Sequence, residues 1–274
     1  MSQRIFFEKA SCSQIGSLMQ AFGIQKYMLV HCGSFQSLGI ADFFENLGIP
    51  AVEFSSFSSN PKYEDILQGL ALFRKEGCDG IVAVGGGSAM DVAKCIKLFG
   101  RQSPEADPLR QPYVDTHIPL IAVPTTAGTG SESTRFAVIY DKDEKQNVAH
   151  ESIIPQAVLL DYSLLRTLPL YQKKCTMLDA LCQGIEACWS VRSTSESRVL
   201  SRQAVRQIAA HWRHYIFQGD NTSLEIMMRA SNLAGQAICV TRTTAAHAMS
   251  YKITSLYGLP HGYAVALCLP KIWR

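Results

Sequence analysis

Short apolar runs alternate with longer amphipathic segments through the first hundred or so residues, and further apolar runs follow. Each short run predicts a buried strand, and the spacing of apolar residues over 63–76 predicts a helix. The predicted strands cover residues 26–31, 51–54, 81–84, 118–123, 136–140 and 157–160, with DKDEKQ as a polar connection between the last two. Alternating strands and helices are typical of a doubly wound parallel sheet, which binds ligands at the carboxyl ends of its strands.

The pattern changes after Pro169. From residue 173 onward the apolar residues follow a helical period, long polar faces such as SVRSTSESR appear, and few strand-like runs remain. We therefore predict an N-terminal Rossmann-like α/β domain over residues 1–169, followed by an all-helical domain over residues 170–274.

Composition excludes several classes of partner. A net charge of +3 without a dense basic block argues against nucleic acid. Apolar stretches fall short of the roughly 20 residues that a membrane-spanning helix needs, and the N-terminus lacks the apolar core of a signal peptide. Nine scattered cysteines without a C-x-x-C pair favour reduced thiols in a cytoplasm.

The strand over 81–84 runs directly into three glycines, Gly85, Gly86 and Gly87, and then into a helix. Glycine lets a ligand approach the backbone closely, and the unpaired amides of a helix start favour a negative group such as a phosphate. Ser88 and Asp91 stand three apart, which also predicts a capping box. The two interpretations are compatible.

A second polar run, TTAGTGSE over residues 125–132, follows the strand over 118–123. Hydroxyls and glycines at this density can hold a polar ligand through side chain and backbone together. Ordinary turn chemistry is the alternative.

The helical part holds a set of residues that suits a metal. Asp179 and Gln183 are four apart and share a helix face, and His247 and His261 follow downstream. A carboxylate and two imidazoles suit a divalent transition metal with an open position. Hydrogen-bonded structural histidines are the alternative.

Taken in order, GGGSAMDVAK, PTTAGTGSE, an Asp-Ala-Leu segment ending IEACWS and two spaced histidines resemble the iron-containing (group III) alcohol dehydrogenase family. The resemblance implies a dinucleotide-binding domain, a helical metal domain and a cofactor in the cleft between them. It implies NAD(P)-dependent hydride transfer between a small alcohol and its aldehyde, assisted by Fe²⁺ or Zn²⁺. The implied cofactor contacts are Gly85, Gly86, Gly87, Ser88 and Asp91 at the pyrophosphate, and Thr125, Thr126, Thr129 and Ser131 at the ribose and nicotinamide.

The chain departs from the family pattern at the metal. The family ligands are one Asp and three His, so Asp179, His247 and His261 match while Gln183 replaces a histidine. A neutral amide oxygen is a weaker ligand than imidazole, so we expect weaker or altered metal binding, or none. Tyr251 stands where many members carry a histidine for proton relay, and it joins His247 and His261 as a candidate catalytic residue.

Family members also continue past the last ligand with further helices, whereas this sequence stops at Arg274. We therefore expect a C-terminally incomplete helical domain, whose uncovered faces would favour a partner such as a second copy of the chain.

The turn after the first predicted strand bears on the choice of cofactor. The segment His31-Cys32-Gly33-Ser34 holds no carboxylate, which favours NADP(H) slightly over NAD(H) and makes Gly33 and Ser34 candidate contacts. Several segments resemble the branch that contains phosphonoacetaldehyde reductases, which favours a small aldehyde with an anionic group. Arg242 and Lys252 are candidate contacts for that group, with solvated surface cations as the alternative.

Two rival functions stay open at this point. One is an enzyme resembling polyol-phosphate dehydrogenases, which share the glycine turn. The other is a non-catalytic nucleotide-binding subunit or truncated pseudo-enzyme, favoured by Gln183 and Tyr251.

Overall fold

The computed structural model describes residues 3–103, 105–142 and 144–273. The chain divides into two compact units. The first unit is formed by Met1–Pro124 and Arg135–Asp161, and the second by Thr125–Thr134 and Tyr162–Arg274.

A six-stranded sheet organises the first unit. Its strands are β1 (Arg4–Phe7), β2 (Tyr27–His31), β3 (Ala51–Phe54), β4 (Gly80–Gly85), β5 (Leu120–Pro124) and β8 (Ala157–Leu160). Their spatial order is β1-β8-β5-β4-β2-β3, and every neighbouring pair is parallel. The four inner strands are buried along their whole length, as expected for a parallel sheet covered on both faces.

The helices of this unit connect the strands. They are α1 (Ile15–Phe22), α2 (Ala41–Glu45), α3 (Tyr63–Lys75) and α4 (Gly87–Phe99). Helix α3 begins with Asp65 accepting from the backbone of Lys62, and α1 ends at Gly23 in the left-handed region. Apolar residues at helical spacing, such as Ile66, Leu70 and Phe73, are buried.

Two strands differ from the expectation. Strand β1 at the sheet edge was not predicted, because only half of its short RIFF sequence is even partly buried. The polar DKDEKQ segment is wrong as a simple connection, because its residues 144–146 begin a further strand, β7 (Glu144–Ala149), which pairs antiparallel with β6 (Phe136–Asp141). The strand over 136–140 was predicted from its apolar run, whereas β7 is polar and mostly partly exposed and so lacks the run that identifies a buried strand.

The second unit is helical. Its long helices are α5 (Leu170–Trp189), α6 (Ser195–Phe217), α7 (Asn221–Thr241), α8 (Ala245–Tyr257) and α9 (His261–Ile272). Thr194 caps α6 and Asp220 caps α7 through bonds to backbone amides.

The predicted class, a parallel α/β unit with a helical unit, is confirmed. The boundary at residue 169 stays a prediction, and the helical unit also includes Thr125–Thr134. In the part of the chain that is described, helices that combine the length and apolarity needed to cross a bilayer are absent.

Candidate active site

The glycine turn lies between β4 and α4, as the sequence predicted. Gly85 has a φ of 157°, and a Cβ there would lie 2.7 Å from the Cβ of Ala89. A side chain would therefore force the strand away from the helix that follows. Helix α4 begins at Gly87, so the free amides of its first turn are presented beside a backbone without side chains.

The predicted capping box at Ser88 and Asp91 is wrong. Gly86 is the residue that precedes α4, and α4 receives no side-chain cap. Because the helix starts before Ser88, both side chains lie inside it and bond elsewhere. Ser88 Oγ donates to the carbonyl of Ser59 at 2.5 Å, and the Asp91 carboxylate accepts from the amide of Val138 at 3.2 Å.

The turn after β2 holds Gly33 and Ser34, the candidates for choosing between NAD and NADP. Cys32 Sγ and Ser34 Oγ lie 3.1 Å apart across this turn. His31 Nε2 lies 3.0 Å from a carboxylate oxygen of Glu53 on β3. The segment over residues 31–34 has no carboxylate of its own, but Glu53 on the neighbouring strand places a carboxylate beside His31, the first residue of that segment.

The TTAGTGSE segment packs within the helical unit. Gly130 has a φ of 58°, and a Cβ there would lie 2.5 Å from the Cα of Gly235 on α7. Among the candidate cofactor contacts, Thr125 and Ser131 are buried while Thr126 and Thr129 are partly buried. The segment is thus fixed against a helix by a backbone-to-backbone contact that only glycine permits.

Asp179, His247 and His261 come together in the helical unit, although they lie on α5, α8 and α9. One ligand atom from each lies within 4.8 Å of the others. Asp179 Oδ1 lies 3.3 Å from His247 Nε2 and 4.0 Å from His261 Nε2. Both imidazoles therefore present the same nitrogen to one carboxylate oxygen, the arrangement that a shared cation would need.

Gln183 lies one turn after Asp179 on α5. Its Nε2 donates to the carbonyl of Thr129 at 3.1 Å, while its Oε1 is buried without a hydrogen-bond partner. A buried acceptor without a partner costs about 1–3 kcal/mol. A divalent cation would satisfy this oxygen, so a donor set of two imidazoles, a carboxylate and an amide fits a metal ion.

The charges around His247 are tightly paired. Burial alone would lower the pKa of His247, but hydrogen bonds to Asp179 and Glu186 raise it to about 9. Burial would raise the pKa of Asp179, but His247, His261 and Gln183 hold it below its usual range. The carboxylate is therefore ionised and available to a cation at neutral pH.

Glu186 was missed by the sequence analysis. It is fully buried, and its Oε2 bonds to His247 Nδ1. Asp179, Gln183 and Glu186 recur at intervals of four and three along α5, so the helical period that paired the first two residues also includes the third.

Tyr251, the candidate for proton relay, stacks on His261, with ring centroids 5.6 Å apart and ring planes at 4° to each other. The hydroxyl of Ser250 lies 3.5 Å from His261 Nδ1. Arg242 and Lys252, the candidate contacts for an anionic substrate, are both exposed.

The sequence profile described as iron-containing alcohol dehydrogenase matches residues 2–162, and the C-terminal profile of the same family matches residues 174–274. The chain belongs to the iron-containing alcohol dehydrogenase family. This confirms the resemblance seen in the sequence and the expected class of reaction, hydride transfer between an alcohol and an aldehyde.

Individual relatives agree with the family. The chain is 32% identical over 272 residues to a probable alcohol dehydrogenase, EutG, of Escherichia coli, covering 96% of this chain and 69% of that protein. It is 36% identical over 208 residues to phosphonoacetaldehyde reductase of Streptomyces viridochromogenes, covering 72% of this chain and 53% of that protein. A solved structure of sulfoacetaldehyde reductase from Bifidobacterium kashiwanohense in complex with NAD⁺ superposes with a TM-score of 0.93 at 28% identity, covering 98% of this chain and 74% of that one.

Proposed function

We propose that this chain transfers a hydride reversibly between NAD(P)(H) and a small alcohol or aldehyde, with a divalent metal held by Asp179, Gln183, His247 and His261. The observation that carries the proposal is the convergence of two histidine Nε2 atoms on one buried oxygen of Asp179.

The side chains of this cluster bind and orient the ion. When bound, Fe²⁺ or Zn²⁺ supplies Lewis acidity to the substrate oxygen, where negative charge develops during hydride transfer. Asp179 contributes the negative charge, and Gln183 contributes a neutral oxygen in place of the family's third imidazole. We expect this substitution to weaken binding, because an amide oxygen is a poorer ligand for these ions than imidazole.

Tyr251 is the residue that we propose for proton transfer beside the metal. Its ring stacks on His261, which fixes the phenol next to a ligand. In the direction of alcohol oxidation, the Tyr251 hydroxyl would donate its own proton to a water molecule as it accepts the proton of the substrate hydroxyl, so that the phenol is neutral before and after the transfer.

The cofactor would be bound by two glycine-rich segments. We propose that the amides at Gly85, Gly86 and Gly87 contact the pyrophosphate, together with Ser88 and Asp91 on the first turns of α4. We assign Thr125, Thr126, Thr129 and Ser131 to the ribose and nicotinamide side.

We keep a slight preference for NADP(H). Gly33 and Ser34 carry no charge that would repel a 2′-phosphate, and the carboxylate of Glu53 is already paired with His31.

The names of two relatives, phosphonoacetaldehyde reductase and sulfoacetaldehyde reductase, favour a small aldehyde with an anionic group as the substrate. We also propose a cytoplasmic setting, supported by the nine cysteines, which all lie in the described part of the chain and form no disulfide there.

The test combines metal analysis with turnover. Protein purified after growth with Fe²⁺ or Zn²⁺ should hold one ion per chain and reduce small anionic aldehydes with NADPH. Asp179→Ala should lose both properties. Protein that holds metal and binds NADPH but reduces no aldehyde in a broad panel would contradict the proposal.

Gln183→His tests the fourth ligand. It restores the family's donor set, so we expect tighter metal binding in a chelator competition. Gln203→His, the same replacement at an exposed position on α6, is the matched control and should leave the affinity unchanged. Equal affinities for the native chain and Gln183→His would remove Gln183 from the proposed ligand set.

A further inference from the structure

Glu186 is the buried carboxylate that follows the proposed ligands along α5. None of its surface is exposed to solvent. A buried carboxylate is costly unless its oxygens are bonded, so its contacts indicate its role. Those contacts divide cleanly between its two oxygens.

Oε1 binds the start of α8. It accepts from the amide of Thr244 at 3.1 Å, from its hydroxyl at 2.5 Å, and from the amide of Ala246 at 3.0 Å. The first amides of a helix have no partner within it, and Thr244 caps none of them with its own side chain. Glu186 therefore supplies, from another helix, the cap that α8 lacks.

Oε2 binds the ring of His247. It bonds to Nδ1, while Nε2 of the same ring faces Asp179 at 3.3 Å. A carboxylate oxygen can only accept, so Nδ1 carries the proton. In the neutral ring, Nε2, which faces the proposed metal site, is then the nitrogen whose lone pair a cation can take.

The chain just before α8 does not hold this geometry by itself. Arg242 ends α7 with a φ of 58° and a ψ of 173°, a backbone conformation that favours glycine. Such a conformation persists only where the surroundings fix it. The bonds from Glu186 to Thr244 and Ala246 fix the chain two to four residues later.

We propose that Glu186 is a positioning residue that fixes both the backbone at His247 and the tautomer of its ring, so that Nε2 is ready to bind the metal. The inference rests on the metal-dependent function proposed above. It predicts that the two oxygens of Glu186 have separate effects, one on the folding of α8 and the other on metal affinity.

Glu186→Gln separates these effects. Four donors meet at Oε1, the fourth being the backbone amide of His247 at 3.5 Å. The amide oxygen of the glutamine must therefore stay there, and its NH₂ must face the ring of His247. The NH₂ donates to Nδ1, which moves the ring proton to Nε2 and blocks the ligand nitrogen. We expect the variant to fold with a melting temperature close to the native one and to bind the metal about 10- to 100-fold more weakly in a chelator competition.

Thr244→Val is the matched control. It removes the hydroxyl contact to Oε1 and keeps the Thr244 amide and the bond from Oε2 to His247. We expect a small loss of stability and native metal affinity. Native affinity in Glu186→Gln, or an equal loss in Thr244→Val, would overturn the inference.

A second measurement does not depend on the metal. In metal-free protein labelled with ¹⁵N-histidine and held above pH 9, where the His247 ring is neutral, Nδ1 should be protonated in the native chain and deprotonated in Glu186→Gln. If the native chain binds no ion and this change still occurs, the proposed function fails while the positioning role stands. If Nδ1 stays protonated in Glu186→Gln, the positioning role is refuted.

Should Glu186→Gln fail to fold, Glu186→Asp is the second variant. It keeps a carboxylate that is too short to serve both groups at once, and native metal affinity together with a protonated Nδ1 would overturn the inference.

Discussion

Gly262 determines how closely α9 approaches α5, and it is adjacent to the proposed ligand His261. A Cβ at Gly262 would lie 2.0 Å from the carbonyl oxygen of Cys175 and 2.8 Å from the Cβ of Asp179. Real Cβ atoms do not approach other atoms within 3.0 Å, so in Gly262→Ala the start of α9 must move by about 1 Å.

The displacement is large on the scale of a metal site. Ligand distances hold to within about 0.2 Å, so a shift of about 1 Å takes His261 out of coordination range. We expect Gly262→Ala to bind Fe²⁺ or Zn²⁺ at least about tenfold more weakly. The same overpacking should lower the free energy of unfolding by about 1–3 kcal/mol.

The assay pairs a chelator-buffered metal titration with urea denaturation of the metal-free protein. Gly258→Ala is the matched control, because Gly258 has a φ of 66° and open space around a Cβ. It should cost about 1 kcal/mol through backbone strain alone and leave metal affinity unchanged. Native metal affinity in Gly262→Ala, or an equal loss of affinity in Gly258→Ala, would refute the reasoning.

Three further predictions test other parts of the chain. Arg242→Gly should be about 1 kcal/mol more stable in urea than Arg242→Ala, because both lose the side chain but only glycine relieves the positive φ; equal stabilities would show that the turn is unstrained. Ser34→Asp should lower kcat/KM for NADPH relative to NADH at least about tenfold, whereas Ser34→Asn should not; identical ratios would place the 2′-phosphate elsewhere. Burial lowers the pKa of Lys97 from 10.5 to about 8, so the folded state disfavours its charge at neutral pH. The free energy of unfolding of the native chain relative to Lys97→Met should therefore rise by about 1–3 kcal/mol from below pH 8 to above pH 10.5, and a flat difference between the two profiles would contradict this.

Much of the fold follows from local pattern. Apolar runs such as 81–84 and 157–160 are strands that are buried on both faces, where continuous hydrophobicity is a physical requirement. Strands β1 and β7 were not predicted from apolar runs, because β1 lies at the sheet edge and β7 is polar and partly exposed. The helix start at Gly87 was misplaced because Ser-x-x-Asp satisfies the capping pattern without occupying the capping position.

The site is only partly visible in the sequence. Helical spacing places Asp179 beside Gln183, but no local rule brings His247 and His261 to them from two other helices. Glu186 shares the face of α5 with Asp179, yet a buried glutamate between apolar residues gives no local indication that its partner lies on α8. Such pairings depend on tertiary packing.

The proposed metal ligands Asp179, His247 and His261 belong to one of the two compact units, although they come from three of its helices. An ion bound there would act as a crosslink within that unit alone. At a free concentration 100 times its dissociation constant, it would add about 2.7 kcal/mol to the folded state of the helical unit. Where calorimetry resolves two unfolding transitions, added ion would therefore assign them. The transition whose midpoint rises belongs to the helical unit, and the transition that stays in place belongs to the unit that contains the sheet.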